Sequence, residues 1–119
     1  MNKYEEGLKA REEIIGKLAS DGVTESLKDI APIVDEYTLR VFADINERPQ
    51  LTMQQRELIT IASLCTQGSV EPQLKLHIKA ALNVGLTQEE IAETFVHLIS
   101  YVGFPKALNA IFALKAVIA

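Results

Sequence analysis

The stretch TMQQRELITIASLCTQG, residues 52–68, decides how the chain folds. Thr52 and Gln55 form a capping box, in which each side chain satisfies a backbone N–H of the other at a helix start. Beyond them Leu58, Ile59, Ile61, Ala62, Leu64 and Cys65 cover most of the helix circumference. Arg56, Thr60, Ser63 and Gln67 fall at i, i+4, i+7 and i+11 as one polar stripe, and Gly68 supplies the stop. The pattern returns in TQEEIAETFVHLISYVG, residues 87–103, where Thr87 and Glu90 make a second capping box. That helix runs to about Tyr101, and Gly103 and Pro105 turn the chain into a final helix. Between the two, Pro72 opens a helix that Gly85 stops.

Upstream, Pro32 opens a helix with Ile33, Val34, Tyr37, Val41 and Ile45 at helical spacing, ended by Arg48-Pro49. A first helix covers about Tyr4 to Ser20 with Asp21-Gly22 as its stop, and a short one follows Thr24. Nothing alternates apolar and polar between hairpin turns, so no strand is expected. The reading is all-α, about six helices with a core helical hairpin, in one domain over 1–119 without linker or repeat.

Composition narrows the function. The 119 residues carry 12 Lys plus Arg against 16 Asp plus Glu, a formal charge of −4, and are 48% apolar and 24% charged. That suits a soluble globular domain. No Lys or Arg cluster offers the counterion release that nucleic acid or an anionic membrane demands, so neither is an expected partner. No apolar run reaches a membrane span, and the charged opening lacks a secretory signal, so a cytoplasmic protein is expected. A lone Cys65 excludes an internal disulfide, a CxxC pair and multi-Cys zinc patterns. From Ala107 to Ala119 only Asn109 and Lys115 are polar, too apolar all round for one small monomer to cover, so a homo-oligomer is expected.

Few residues can carry chemistry. Glu57 shares its face with Ile61 and Leu64, at the edge of an apolar environment, and is as compatible with surface pairing at a helix start as with a site role. His77 belongs to the buried stripe Leu74, Ile78 and Ala81, with Gln73 one turn earlier in reach, either as a bonded core histidine or as a reacting group. Glu90, Thr94, His97 and Tyr101 line a further polar seam at i, i+4, i+7 and i+11. His77 and His97 lie on different helices without a metal-binding spacing, so no metal is expected. Cys65 reads as a small core residue.

From Leu51 onward the chain resembles the carboxymuconolactone decarboxylase family. The resemblance rests on Leu-Thr-x-x-x-Arg-Glu-Leu (51–58), Gln-Leu-x-x-His (73–77), Ala-x-x-x-Gly-x-Thr-x-Glu-Glu-Ile (81–91) and His-x-x-x-Tyr-x-Gly-Phe-Pro-x-Ala (97–107). It implies the all-helical alkyl hydroperoxidase D-like fold, a trimer or hexamer, and cofactor-free decarboxylation of a small carboxylated unsaturated lactone, as in aromatic catabolism. It implies further that His77 and His97 divide the roles of proton donor and oxyanion partner. Glu57 would orient an imidazole, Arg56 would anchor a substrate carboxylate, and Tyr101 and Gln73 would contact substrate. Peroxidase members place a Cys pair seven and four positions before the histidine; here Val70 and Gln73 stand there. A non-catalytic oligomeric binding protein is the alternative, and a peroxidase is disfavoured.

Overall fold

The computed structural model describes residues 1–119 and holds seven helices and no strand: α1 (Lys3–Ile15), α2 (Lys17–Leu27), α3 (Pro32–Asn46), α4 (Met53–Gln67), α5 (Glu71–Asn83), α6 (Gln88–Val102) and α7 (Phe104–Ile118). They gather into two compact units, Met1–Leu51 and Thr52–Ala119. No helix is long and apolar enough to cross a membrane.

The structure is all-α as expected, with one difference in where the first helix stops. The stop falls at Gly16 and not at Asp21-Gly22. Gly16 takes φ +90°, in the left-handed region that glycine enters without a Cβ penalty. Its N–H closes α1 on the Glu12 carbonyl at 3.0 Å, and its carbonyl receives the Ser20 N–H at 3.0 Å to start α2. Gly22 then lies inside α2; a mid-helix glycine costs about 1 kcal/mol against alanine, too little to end a helix held by other contacts.

In the first unit α1 and α3 approach so closely that a Cβ on Gly7 would run into the Leu39 backbone. Ala10, Ile14, Ile15 and Ala43 fill the unit's interior. Among them sits a charged residue that helical periodicity gave no reason to single out, Arg11, paired with Asp35 at 2.5 Å. The apolar stripe of α3 (Ile33, Val34, Tyr37, Val41 and Ile45) stays exposed.

The second unit follows its caps. Thr52 Oγ1 accepts the Gln55 N–H at 3.0 Å and Gln55 Oε1 accepts the Thr52 N–H at 2.9 Å. Thr87 and Glu90 repeat the exchange at 3.0 and 2.9 Å. Gly68 and Gly103 end α4 and α6 at φ +68° and +88°. Each capped helix turns at once into its successor, and the core gathers Ile61, Cys65, Leu74, Ile78, Ala81, Ile91 and Phe95. On α7 the small side chains go inward, with Ala107, Ala110 and Ala113 buried. Its bulk goes outward, Phe104 being 64% and Phe112 58% exposed with Leu108 between them.

We propose that this outward stripe of α7 is covered by another copy of the chain, since exposing two phenylalanines and a leucine in a row on one helix face is costly. Sedimentation velocity at low micromolar concentration should show a species well above the 13.2 kDa chain, and Phe112→Glu should shift it toward monomer. A stable wild-type monomer would contradict the proposal.

Candidate active site

The candidate residues all lie in the unit formed by Thr52–Ala119. Glu57 lies in the second turn of α4, on the side that buries Ile61 and Cys65. His77 lies midway along α5, beside buried Leu74, Ile78 and Ala81. Packing of α4 on α5 brings the two together, with Glu57 Oε1 2.9 Å from His77 Nδ1. The carboxylate side chain is 7% exposed and the imidazole 18%. An ionised carboxylate can only accept, so this contact requires the hydrogen on Nδ1 and turns Nε2 away from Glu57. Gln54 braces the helix pair from the end, donating from Nε2 to the Val84 carbonyl at 2.8 Å. Buried carboxylates are costly without such a donor, which explains why Glu57 and His77 meet.

The remaining candidates lie elsewhere. Arg56 is half-buried on α4, the residue before Glu57. Gln73 is exposed in the first turn of α5, and the hydrogen bond of His77 goes to Glu57. His97 is exposed on α6 and packs its ring against Tyr101, centroids 5.5 Å apart and planes at 34°. Tyr101 itself is 75% exposed. His97 lines an open groove of about 660 Å³ together with Leu58, Glu89, Glu90, Glu93, Thr94 and Leu98. Glu57 and His77 are not part of that lining. Within one chain, then, α4 presents Glu57 to the α5 histidine and Leu58 to the α6 histidine, on adjacent faces.

This groove is also acidic. Glu90 was legible as a cap, and it does cap, but Glu89 and Glu93 flank it one turn apart and share the groove with His97. Spacing alone carried that signal. A carboxylated ligand seated there would meet like charge. No group of three His, Cys, Asp or Glu side chains is arranged to hold a metal ion.

Comparison with known proteins adds an independent line. Residues 32–116 match the Carboxymuconolactone decarboxylase family. The chain is 33% identical over 109 residues to the 4-carboxymuconolactone decarboxylase of Acinetobacter baylyi, covering 91% of this chain and 80% of that protein. It is 29% identical over 119 residues to the nitrosuccinic acid decarboxylase npaB of Metarhizium robertsii, 97% of this chain and 80% of that one. An uncharacterized 15.0 kDa protein of Paracoccus denitrificans shares 30% over 96 residues, 79% of this chain and 72% of its own length.

Cys65 is buried and free, and its Sγ lies 3.7 Å from the Lys106 carbonyl. Burial pushes its thiol pKa up, and the charge of Lys106 only partly offsets this. Less thiolate therefore forms at pH 8 than at an ordinary cysteine, and the thiolate is the reactive form. Alkylation by iodoacetamide at that pH should run at least about tenfold slower than in the unfolded chain. Labelling at the unfolded rate would contradict the buried, protonated assignment.

Proposed function

Since the chain belongs to the carboxymuconolactone decarboxylase family, we propose that it is a carboxy-lyase acting on a small molecule whose carboxylate sits beside an electron-accepting group. The observation that carries this reading is the buried Glu57–His77 contact at 2.9 Å. The two decarboxylases named above support the substrate class, for a lactone and a nitro group are both electron acceptors. Our preferred substrate is a carboxylated unsaturated lactone.

The chemistry follows from where electrons must go. The C–CO2 bond breaks, CO2 leaves, and the bonding pair passes into the lactone carbonyl as a dienolate. The acceptor is the substrate's own, so the step needs no other electron sink. One of the two nucleophilic carbons of the dienolate must then receive a proton. With Nδ1 engaged by Glu57, the Nε2 edge of the doubly protonated ring is the proton source, and solvent restores it afterwards. Glu57 fixes the ring and faces its positive charge, the role a buried carboxylate plays behind an imidazole in other proton-transfer sites. Arg56 is assigned the remaining substrate carboxylate, which its planar fork can grip at two points. The acidic groove around His97 fits an anion poorly, so His77 takes the proton transfer, and His97, Tyr101 and Gln73 are left at the rim, away from the developing negative charge.

A panel of carboxylated lactones and nitro-substituted dicarboxylates tests the reading. Turnover in D2O should leave one deuterium on a ring carbon of the product. His77→Gln should lower kcat by roughly 100- to 10,000-fold with the fold retained, the usual cost of removing a positioned acid or base. Arg56→Lys should act mainly on KM. Binding without turnover by the wild type would favour the non-catalytic alternative, and full activity in His77→Gln would remove the dyad from the chemistry.

A further inference from the structure

In the unit Met1–Leu51, α2 is joined to its neighbours by polar contacts and hardly at all by apolar burial. Among its eleven residues only Ser20 is buried. Leu18 is 89% exposed, and Ala19, Val23 and Leu27 are half-buried. The contact that anchors it is the side chain of Arg11 on α1. Nε of Arg11 donates to Ser20 Oγ at 2.7 Å, and Nη2 donates to the Ser20 carbonyl at 3.1 Å and to Thr24 Oγ1 at 2.7 Å. The opposite edge of the guanidinium faces α3, with Nη1 donating to Asp35 Oδ1 at 2.5 Å and to Thr38 Oγ1 at 2.9 Å. Thr24 closes the ring by donating to Asp35 Oδ2 at 2.8 Å. All five N–H groups of Arg11 are thus used, three by α2 and two by α3.

The division has a consequence for how the unit opens. Lifting α2 draws no fully buried apolar side chain of that helix into water, and it hands the Nε–Nη2 edge to water while Asp35 and Thr38 keep the Nη1 edge. The charge is never left buried and alone, and water replaces hydrogen bonds whose net worth in solution is modest. Separating α1 from α3 is different in kind. It breaks the Arg11–Asp35 pair and exposes Ala10, Ile14 and Ala43 together. Short joints flank α2: Gly16, around whose Cβ position there is nothing within 4 Å, and the turn in which Ile30 and Ala31 N–H both bond the Leu27 carbonyl.

We propose that α2 is a strap that swings away from the α1–α3 pair as a unit, about Gly16 and the turn after Leu27, while that pair stays folded. Ser20 and Thr24 are its latch to Arg11. The strap is a local opening mode, distinct from global unfolding.

Native-state amide hydrogen exchange on the full chain tests this. The α2 amides should exchange at least about tenfold faster than the slowest amides of α1 and α3. Thr24→Val, which keeps the side-chain volume but removes the latch hydroxyl, should speed α2 a further severalfold and leave α1 and α3 unchanged. Ser20→Ala should act the same way. Exchange of α2 in step with α1 and α3 in the wild type would overturn the strap, as would equal acceleration of all three helices in both variants.

Discussion

Burying a carboxylate is tolerable only when a donor meets it, and the second unit is organised around one such meeting. Glu57 is carried inward by the face of α4 that also buries Ile61 and Cys65. His77 is carried inward by the face of α5 that buries Leu74 and Ile78. In this register each polar group meets the other, and removing one leaves its partner unpaired at the edge of an apolar seam, at a cost in stability. The same contact turns Nδ1 of the imidazole toward Glu57 and Nε2 away from it.

How much of this could be read from residues alone depended on how local the cause was. The caps of α4 and α6 were legible because a threonine and its partner three residues on satisfy each other without tertiary help. Glu57 and His77 were legible as polar intrusions in apolar stripes, though not their mutual contact, because helical spacing says nothing about which neighbouring helix a face meets. The stop at Gly16 was hidden by the stronger-looking Asp21-Gly22. The identity of the glycine that goes left-handed is decided by how α1, α2 and α3 pack, and that is a tertiary cause. Arg11 carries no sign of burial in its own helix, because the groups that satisfy it, Ser20 and Thr24 on α2 and Asp35 and Thr38 on α3, come from other helices. The grouping of His97 with Glu89 and Glu93 lies in spacing alone, at i, i+4 and i+8 along α6, where each acid by itself reads as a solvated residue near the helix start.

The α7 stripe shows the limit of apolar patterning as a guide to the interior. An all-round apolar helix predicts burial without saying by what. Here the alanines face the core and the phenylalanines face out. Small side chains allow close helix approach, and so the bulk is displaced to the surface, where a second copy can use it. In the first unit Gly7 against Leu39 plays the comparable part, setting an approach that any side chain would prevent.

The chain belongs to the carboxymuconolactone decarboxylase family, and in the proposed reaction the Glu57–His77 pair is the group that delivers the proton. The central claim is that Glu57 fixes the hydrogen of His77 on Nδ1. Long-range 1H–15N correlation spectra of the imidazoles read this directly. In the neutral ring of His77 the account predicts a protonated Nδ1 and a bare Nε2, and loss of that preference in Glu57→Leu. A His77 ring that carries its hydrogen on Nε2 in the wild type, or one indifferent to the loss of Glu57, would contradict it.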